Sequence, residues 1–242
     1  MKESGRKRKG RSRKSRKRRK TIKIFLETFA NKKQQPALIL KTSGATFSTT
    51  DKDDCTRKIQ GVKDSFPNDW KLPNIYLLHG QLTDEEMNLL YNHPKIKCLV
   101  SFTHGEGFGR PLLEASISGK PVIATNWSGH VDFLRPHSVL LPGELKPVHK
   151  SAVWKGVIVK ESPWYYVNYG YASKVLKAVI KKLKNYIPNA RKQAKLSRET
   201  FSLLKMNEQM AKIFEEKVAL KEEVKISLPT LTNKIKLPTL DR

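Results

Sequence analysis

The sequence predicts an α/β fold with a single doubly wound parallel sheet, and three observations carry this prediction. Short apolar segments alternate along the chain with segments of helical periodicity, a pattern typical of parallel strands joined by covering helices. The chain has 242 residues, 38% of them hydrophobic, which is enough for a buried core. A glycine-rich turn follows one apolar segment, at the kind of position where such sheets bind ligands.

The predicted strands are short apolar segments bounded by glycine, proline or polar residues. They are Pro36–Thr42, Asn74–Gly80, Lys97–Phe102, Pro121–Asn126, and the shorter Ser138–Gly143 and Trp154–Val159. Residues 43–74 are polar and contain Pro67 and Pro73, so the sequence predicts an irregular connection there.

The predicted helices place apolar residues at helical spacing. They are Thr21–Ala30, a helix that follows the N-cap Thr83, Pro111–Ser118, Tyr171–Tyr186 and Asn189–Val218. Thr83 is a good cap because Glu85 and Glu86 occupy the following turn. Pro111 suits the first position of its helix, where a missing N–H costs nothing.

The charge is concentrated at the N-terminus. Residues 2–20 contain 13 Lys or Arg against one acid, which is about +12 of a formal net charge of +26. Such a segment cannot bury apolar surface, so residues 1–20 are predicted to be a disordered polybasic tail. The domain is expected over 21–188, with a C-terminal helix packed on it over 189–224. An extended tail is expected over 225–242, where KISLPTL and KIKLPTL repeat.

The cysteine and apolar patterns limit the classes of protein. Cys55 and Cys98 lack metal-type spacing, which argues against a disulfide framework or a cysteine-based zinc site. No apolar run approaches the roughly 20 residues that span a bilayer, and no signal-type apolar stretch follows the N-terminal charges. We therefore expect a cytoplasmic protein, or a nuclear one if the basic tail acts as a targeting signal.

The clearest chemistry lies in SFTHGEGFGRPLLEASISGKPVIATNWSGHVDFL, residues 101–134. Glu106 and Glu114 are separated by seven residues, and a glycine-rich turn precedes the helix that carries Glu114. Glycines let a backbone approach a ligand, and a helix start offers amides to an anion. A nucleotide sugar needs both carboxylates for its hydroxyls and amides for its diphosphate. Two glutamates at this spacing also occur by chance, and GEGFG also suits a plain strand-to-helix turn.

This segment resembles the donor-binding signature of retaining glycosyltransferases with the GT-B fold, of the family-4 type. The fixed positions of the usual pattern, E-G-F-G-x-P-x-x-E-A and then G-x-P-V-I-A-x-x-x-x-G, are all present. The resemblance extends more loosely from about Thr21 to Met210 and covers the Rossmann-like, nucleotide-sugar-binding half of a GT-B fold. A weaker resemblance links LPGELKPVHKSAVWKG and the LP-rich tail to glycosyltransferases of large DNA viruses and phages.

The resemblance implies a role for each matching residue. Glu106 would be the catalytic residue and bind hydroxyls of the donor sugar, whereas Glu114 would hold the ribose. The other implied donor-binding residues are Gly107, Phe108, Gly109, Leu112, Leu113, His79, Gly80, Asn126, Trp127, Gly129 and Lys20. Of these, His79 and Gly80 would lie near the base, and Leu112 and Leu113 would present free amides. Lys20 falls where the family has a lysine on the diphosphate. The resemblance implies no metal site and no cofactor besides the nucleotide-diphosphate sugar.

Two functions remain open from the sequence. The first is a retaining glycosyltransferase donor domain acting on an unknown acceptor, truncated because the family's N-terminal acceptor domain is absent, with a partner chain as one source of that domain. The alternative is an inactive nucleotide-sugar-binding or scaffold protein, anchored to nucleic acid or another anionic surface through residues 1–20. The aromatic residues Trp154, Trp164, Tyr165, Tyr166 and Tyr169 are predicted to be mostly core, with an acceptor platform as the alternative.

Overall fold

The computed structural model describes residues 13–43, 50–154 and 156–217. The chain divides into two compact units, the first ending at Thr200 and the second starting at Phe201. The first unit contains parallel sheets and covering helices, so the predicted α/β class is confirmed.

The strands of the first unit form three hydrogen-bonded groups. Strands β1 (Leu38–Thr42) and β2 (Ile75–His79) pair in parallel. Strands β3 (Leu99–Ser101), β4 (Val122–Thr125) and β5 (Val139–Leu141) form a parallel sheet with β4 in the centre. Strands β6 (Gly143–Pro147) and β7 (Pro163–Val167) form an antiparallel pair. The parallel strands thus belong to two sheets where the sequence predicts one, because an apolar pattern identifies strands but not their partners.

Besides a short 3₁₀ helix at Lys150–Ala152, seven α-helices lie in the described part of this unit. They are α1 (Arg13–Phe29), α2 (Thr50–Lys63), α3 (Asp84–Asn92), α4 (Arg110–Ile117), α5 (Val131–Leu134), α6 (Tyr169–Lys181) and α7 (Leu183–Thr200). Thr83 caps α3 as predicted: its hydroxyl accepts from the Glu86 amide at 3.2 Å, and its own amide donates to the Glu86 carboxylate at 2.8 Å. This reciprocal pair is a capping box.

The prediction that residues 1–20 are disordered is wrong for residues 13–20, which are helical. The apolar half of α1 is buried and contributes Ile22, Ile24, Phe25, Leu26 and Phe29 to the core. A helix fixed in this way extends at little cost, because propagation adds one hydrogen bond per residue and Arg and Lys favour helices. Residues 1–12 lie outside the described part of the chain.

Two predicted elements between α1 and α6 need correction, and one strand was not predicted. The irregular connection over residues 43–74 contains α2, a helix whose polar sequence buries only Val62 and therefore lacks a visible apolar stripe. The strand predicted over Trp154–Val159 is a single bridge between Trp154 and Ile158. The hydrogen-bonded strand of that region is β7, which begins at Pro163.

The core joins α1 and α6 to the parallel strands. It includes Phe102, Ile123, Leu141, Leu176 and Val179. Helix α1 lies against α2 and α6, and the Thr28 hydroxyl of α1 donates to the Ser173 hydroxyl of α6 at 2.9 Å. This packing holds the C-terminal half of α1 in the core.

The C-terminal helix is divided. Helix α7 already begins at Leu183 and ends at Thr200, and α8 (Leu203–Lys217) belongs to the second unit. The predicted continuous helix over Asn189–Val218 is therefore wrong. The Ser202 hydroxyl accepts from the Lys205 amide at 3.3 Å and starts a new helix there. The predicted tail over 225–242 lies outside the described residues. Among the described helices, none is long and apolar enough to cross a bilayer.

Candidate functional site

The glycine-rich turn lies between the carboxyl end of β3 and the start of α4, as the sequence predicts. Gly109 caps α4 with φ 93°, a left-handed conformation that favours glycine. The helix begins at Arg110, so Pro111 is its second residue, where the absent N–H is again harmless. The turn therefore brings its backbone to the N-terminal end of a two-turn helix, at the edge of the parallel sheet where ligands bind.

A second loop, residues 126–130, holds the backbone of this turn. The Ser128 hydroxyl donates to the carbonyl of Glu106 at 2.5 Å and accepts from the Glu106 amide at 3.2 Å. The Gly129 amide donates to the same carbonyl at 3.1 Å. A Cβ atom at Gly129 would lie 1.9 Å from the carbonyl oxygen of Gly107, so no other residue fits there. Gly129 therefore acts on the turn through close backbone packing.

The amides available to an anion differ from those predicted. Leu112 and Leu113 both donate to the Gly109 carbonyl, at 2.8 and 3.2 Å, so the prediction that they present free amides is wrong. The first turn of α4 closes on its own cap. In the described part of the chain, the amides of Gly107 and Gly109 make no hydrogen bond. The anion-binding groups of this turn thus precede the helix.

Glu106 is half-buried and lies beside the cap of α4. A Cβ atom at Gly109 would be 3.6 Å from that of Glu106, so the turn folds the glutamate back against the helix start. Within the described residues its carboxylate makes no ion pair or hydrogen bond. Its backbone is held on both sides while its side chain remains available.

Glu114 lies in the second turn of α4 and is held by side chains. Its carboxylate pairs with Arg110, and the Arg110 guanidinium also contacts the Asp84 carboxylate at 3.0 Å. Tyr91 is close by: burial, followed by the negative charge of Glu114, raises the pKa of Tyr91 to about 12. Glu114 therefore faces a cation and a neutral phenol.

The base-binding residues predicted from the sequence lie at the end of β2. The Gly80 amide donates to the Thr42 carbonyl at 3.0 Å, and the Lys41 ammonium donates to the Gly80 carbonyl at 2.5 Å. Three buried polar atoms at the carboxyl ends of β1 to β3 have no partner in the described residues: Thr42 Oγ1, His79 Nε2 and Thr103 Oγ1. Buried polar atoms are nearly always paired, so this edge has hydrogen-bonding capacity for a ligand.

The remaining predicted residues of the 126–130 loop and the turn are partly exposed. The side-chain amide oxygen of Asn126, Oδ1, accepts from the Arg135 guanidinium at 2.6 Å. Trp127 is stacked on Tyr165 with ring centroids 6.2 Å apart, and the Phe108 ring lies 5.2 Å from that of Phe133. Trp127 in the 126–130 loop and Phe108 in the turn thus form exposed apolar surface.

Strand β7 lies along the segment that leads into the turn. The Tyr165 amide donates to the His104 carbonyl at 3.2 Å, and His104 Nδ1 lies 2.6 Å from the Tyr165 carbonyl. The His104 ring stacks on Trp164 at 4.8 Å and meets Tyr166 at 4.6 Å. Lys20 is exposed at the side chain, and its ammonium lies 4.8 Å from the Tyr166 ring centroid. The structure therefore brings Lys20 to a residue that contacts the start of the turn.

Sequence reasoning missed some of the residues that organise this site. Ser128 has φ 80°, a left-handed conformation that is rare for serine and that the sequence does not reveal. Arg110 occupies a variable position of the resembled pattern, so only its i, i+4 spacing to Glu114 signals the pair. Tyr166 belongs to the aromatic group noted in the sequence, but its contacts with His104 and Lys20 are distant in sequence and could not be predicted. No group of three or more His, Cys, Asp or Glu that could hold a metal ion exists in the described residues.

Comparison with known proteins gives one family. The family model for glycosyl transferases group 1 matches residues 12–155. No curated protein sequence matches the chain.

Several solved structures are similar to this chain in fold. Anabaena HepE in complex with UDP and glucose is 17% identical with a TM-score of 0.54, and the match covers 81% of this chain and 44% of HepE. A Rickettsia africae glycosyltransferase is 15% identical with a TM-score of 0.56, covering 81% and 43%. Sucrose-phosphate synthase from Thermosynechococcus elongatus is 16% identical with a TM-score of 0.55, covering 82% and 42%. The chain spans less than half the length of these proteins.

Proposed function

Since the chain belongs to the glycosyl transferases group 1 family, we propose that it binds a nucleotide-diphosphate sugar and is the donor domain of a retaining glycosyltransferase of the family-4 type. The observation that carries the proposal is the turn from Glu106 to Gly109. Its backbone is held by Ser128 and Gly129, and it presents unpaired amides beside an available carboxylate. The UDP and glucose bound to HepE are consistent with this class of ligand.

The diphosphate rests on the amides of Gly107 and Gly109. Fixed N–H groups stabilise the negative charge that develops on a leaving diphosphate, because they need no reorganisation during the reaction. Lys20 supplies a positive charge from the Tyr166 side. No metal or cofactor is required in this proposal, and that remains a prediction.

Glu106 binds the hydroxyls of the donor sugar. Its position next to the α4 cap puts its carboxylate close to the diphosphate amides, so sugar and phosphate are held by neighbouring groups. Glu114 binds the ribose hydroxyls, and the unpaired His79 and Thr42 at the sheet edge contact the base. The longer solved structures contain regions that this chain does not match. In this proposal the acceptor site lies in a region of that kind, either in a further domain or in a partner chain.

The test is a panel of UDP, ADP and GDP sugars measured by thermal shift and calorimetry. A true donor stabilises the protein by mass action, by about 2.7 kcal/mol at one hundred times its Kd. We expect one donor to raise the melting temperature and Glu106→Gln to lose most of the sugar-dependent part of the affinity. Glu144→Gln is the matched control, since Glu144 pairs with Lys146 on the surface.

Two outcomes separate the alternatives. A flat panel for the wild type contradicts donor binding and favours a scaffold. Binding without hydrolysis or transfer, with and without added acceptor sugars, identifies a nucleotide-sugar-binding protein that lacks turnover.

The basic N-terminus favours a second, anchoring function. Residues 2–20 hold 13 Lys or Arg, a density typical of phosphate neutralisation on nucleic acid. Removal of residues 1–12 retains the whole described part of α1, Arg13–Phe29, with its buried residues. We expect this deletion to lower the salt concentration that elutes the protein from heparin. Unchanged elution would assign polyanion binding to the rest of the chain.

A further inference from the structure

Lys20 lies on a fixed part of the molecule. Two buried residues follow it on α1: Ile22 lies less than one helical turn away, and Ile24 lies about one turn away. Helix α1 is packed on α2 and α6. The backbone of Lys20 is thus anchored, and the position of its ammonium depends on its four-carbon side chain alone.

Two tyrosine rings receive that ammonium. The Nζ atom lies 4.8 Å from the Tyr166 ring centroid and 5.6 Å from that of Tyr169, both within the range of cation–π attraction. Tyr166 belongs to β7 and Tyr169 begins α6. The two rings therefore come from the two elements that follow each other directly in the chain.

The same tyrosine joins Lys20 to the glycine-rich turn. The Tyr166 ring lies 4.6 Å from that of His104, and His104 precedes Glu106 by two residues. The backbone of β7 is hydrogen-bonded to His104 through Tyr165. One aromatic ring therefore separates the resting ammonium from the segment that enters the turn.

We propose that Tyr166 and Tyr169 are positioning residues that hold the Lys20 ammonium at the edge of the donor site, ready for the diphosphate. The inference rests on the proposed function, because the anion is the diphosphate of the nucleotide. An exposed cation–π contact contributes about 0.5–1 kcal/mol, enough to bias the side chain yet weak enough to release it to a phosphate.

The first measurement needs no ligand. Lys20 acetylation by an N-hydroxysuccinimide ester is followed by peptide mass spectrometry in the wild type, in Tyr166→Leu/Tyr169→Leu and in Tyr166→Phe/Tyr169→Phe. The leucine variant loses the rings, whereas the phenylalanine variant keeps them and loses only the hydroxyls. We expect Lys20 to react about two- to fivefold faster in the leucine variant, as 0.5–1 kcal/mol implies, and unchanged in the phenylalanine variant. Equal rates in all three proteins overturn the contact itself.

The second measurement uses UDP, ADP and GDP as probes. For the nucleotide that the wild type binds, the leucine variant should bind about two- to fivefold more weakly and the phenylalanine variant equally well. In a Lys20→Met background the leucine substitutions should have no further effect, since the cycle isolates the coupling to Lys20. A general loss of structure would instead weaken binding in both backgrounds. Tyr169→Leu alone, at a residue that is 37% exposed, gives a second variant with a smaller effect on folding.

The outcomes are distinguishable. If no nucleotide binds the wild type, the proposed function fails while the acetylation rates still test the tyrosine contact. If a nucleotide binds and the leucine variant binds equally well, the positioning role is wrong and donor binding stands. If that variant binds more tightly, the rings hold Lys20 away from the site, which also overturns the proposal.

Discussion

The two glutamates of the glycine-rich motif are held in different ways. Glu106 is fixed through its backbone, by the hydroxyl of Ser128 and the amide of Gly129, and its carboxylate has no partner in the described residues. Glu114 lies on a regular helix, and its carboxylate is paired with Arg110 and lies near Tyr91. Glu106 is therefore positioned by main-chain contacts, and Glu114 is positioned by side-chain contacts.

This difference predicts which changes each region tolerates. At Gly129 the main-chain packing leaves no room for added atoms, so a small steric change there should destabilise the Glu106 region. Exposed side-chain pairs contribute little to stability, so the Glu114 region should lose function while the fold is retained. A ligand hydroxyl that binds Glu114 must share or replace the Arg110 contact, whereas one that binds Glu106 finds a free carboxylate.

The largest effect is expected at Gly129. In Gly129→Ala the new methyl group meets the Gly107 carbonyl at 1.9 Å, so one of the two loops must move. We expect a loss of about 3 kcal/mol or more in the free energy of unfolding, at or beyond the upper end for overpacked sites. Urea denaturation measures this loss.

Gly107→Ala is the matched control for stability. A methyl group at Gly107 would meet no atom within 4 Å, so we expect a change below about 0.5 kcal/mol. Equal stability of the two variants would show that close packing of Gly129 does not hold the Glu106 backbone. The contrast between the two glutamates would then be wrong.

The sequence predicted the motif better than its surroundings. The order of strand, turn and helix around Glu106 follows from local signals: an apolar segment, three glycines and a proline at a helix start. The amides at the helix start were assigned wrongly, because α4 begins at Arg110, one residue earlier than predicted, and Leu112 and Leu113 therefore donate to the Gly109 carbonyl. Local pattern thus gives the element but not the hydrogen bonds at its end.

The elements that the sequence missed depend on distant contacts. Strand β7 pairs with β6 and with His104, whose partner Tyr165 is 61 residues away. Helix α1 extends to Arg13 although its first residues are all polar or charged, because its C-terminal half is fixed in the core. The first residues of α1 have no local apolar signal, and the aromatic sequence of β7 does not identify its distant partners, so only the tertiary structure reveals Lys20 beside Tyr166.

The second prediction concerns Glu114. Glu114→Ala should weaken binding of the nucleotide identified in the panel by about 1–3 kcal/mol, since ribose hydroxyls would lose their acceptor. The free energy of unfolding should change by less than about 1 kcal/mol, because the Arg110 side chain is 69% exposed. Calorimetry and urea denaturation measure the two quantities on the same protein.

The opposite result is a loss of stability without a loss of nucleotide affinity. If Glu114→Ala binds as the wild type does but unfolds more easily, the Arg110 pair is structural and the ribose role is wrong. Asp84→Ala is the control, because it removes only the outer contact of Arg110 at 3.0 Å and leaves Glu114 in place.

The smallest effect is a pH dependence at Tyr91. Burial and, after it, Glu114 raise the pKa of Tyr91 to about 12 in the folded protein, against about 10 for an ordinary tyrosine. The unfolded chain therefore ionises first, so this group's contribution to stability is complete below pH 10 and is lost between about pH 10 and 12. Urea midpoints measured at pH 9, 10 and 11 should fall more steeply for the wild type than for Tyr91→Phe.

Two variants test whether this pH dependence involves Glu114. Glu114→Gln removes the negative charge that disfavours ionisation of Tyr91, so its urea midpoints should fall less steeply than those of the wild type. Tyr76→Phe, at an exposed tyrosine, should follow the wild type. If Glu114→Gln and Tyr76→Phe both retain the wild-type slope, the charge of Glu114 does not reach Tyr91. The carboxylate would then face solvent, and the contrast with Glu106 would be reduced to their backbone contacts.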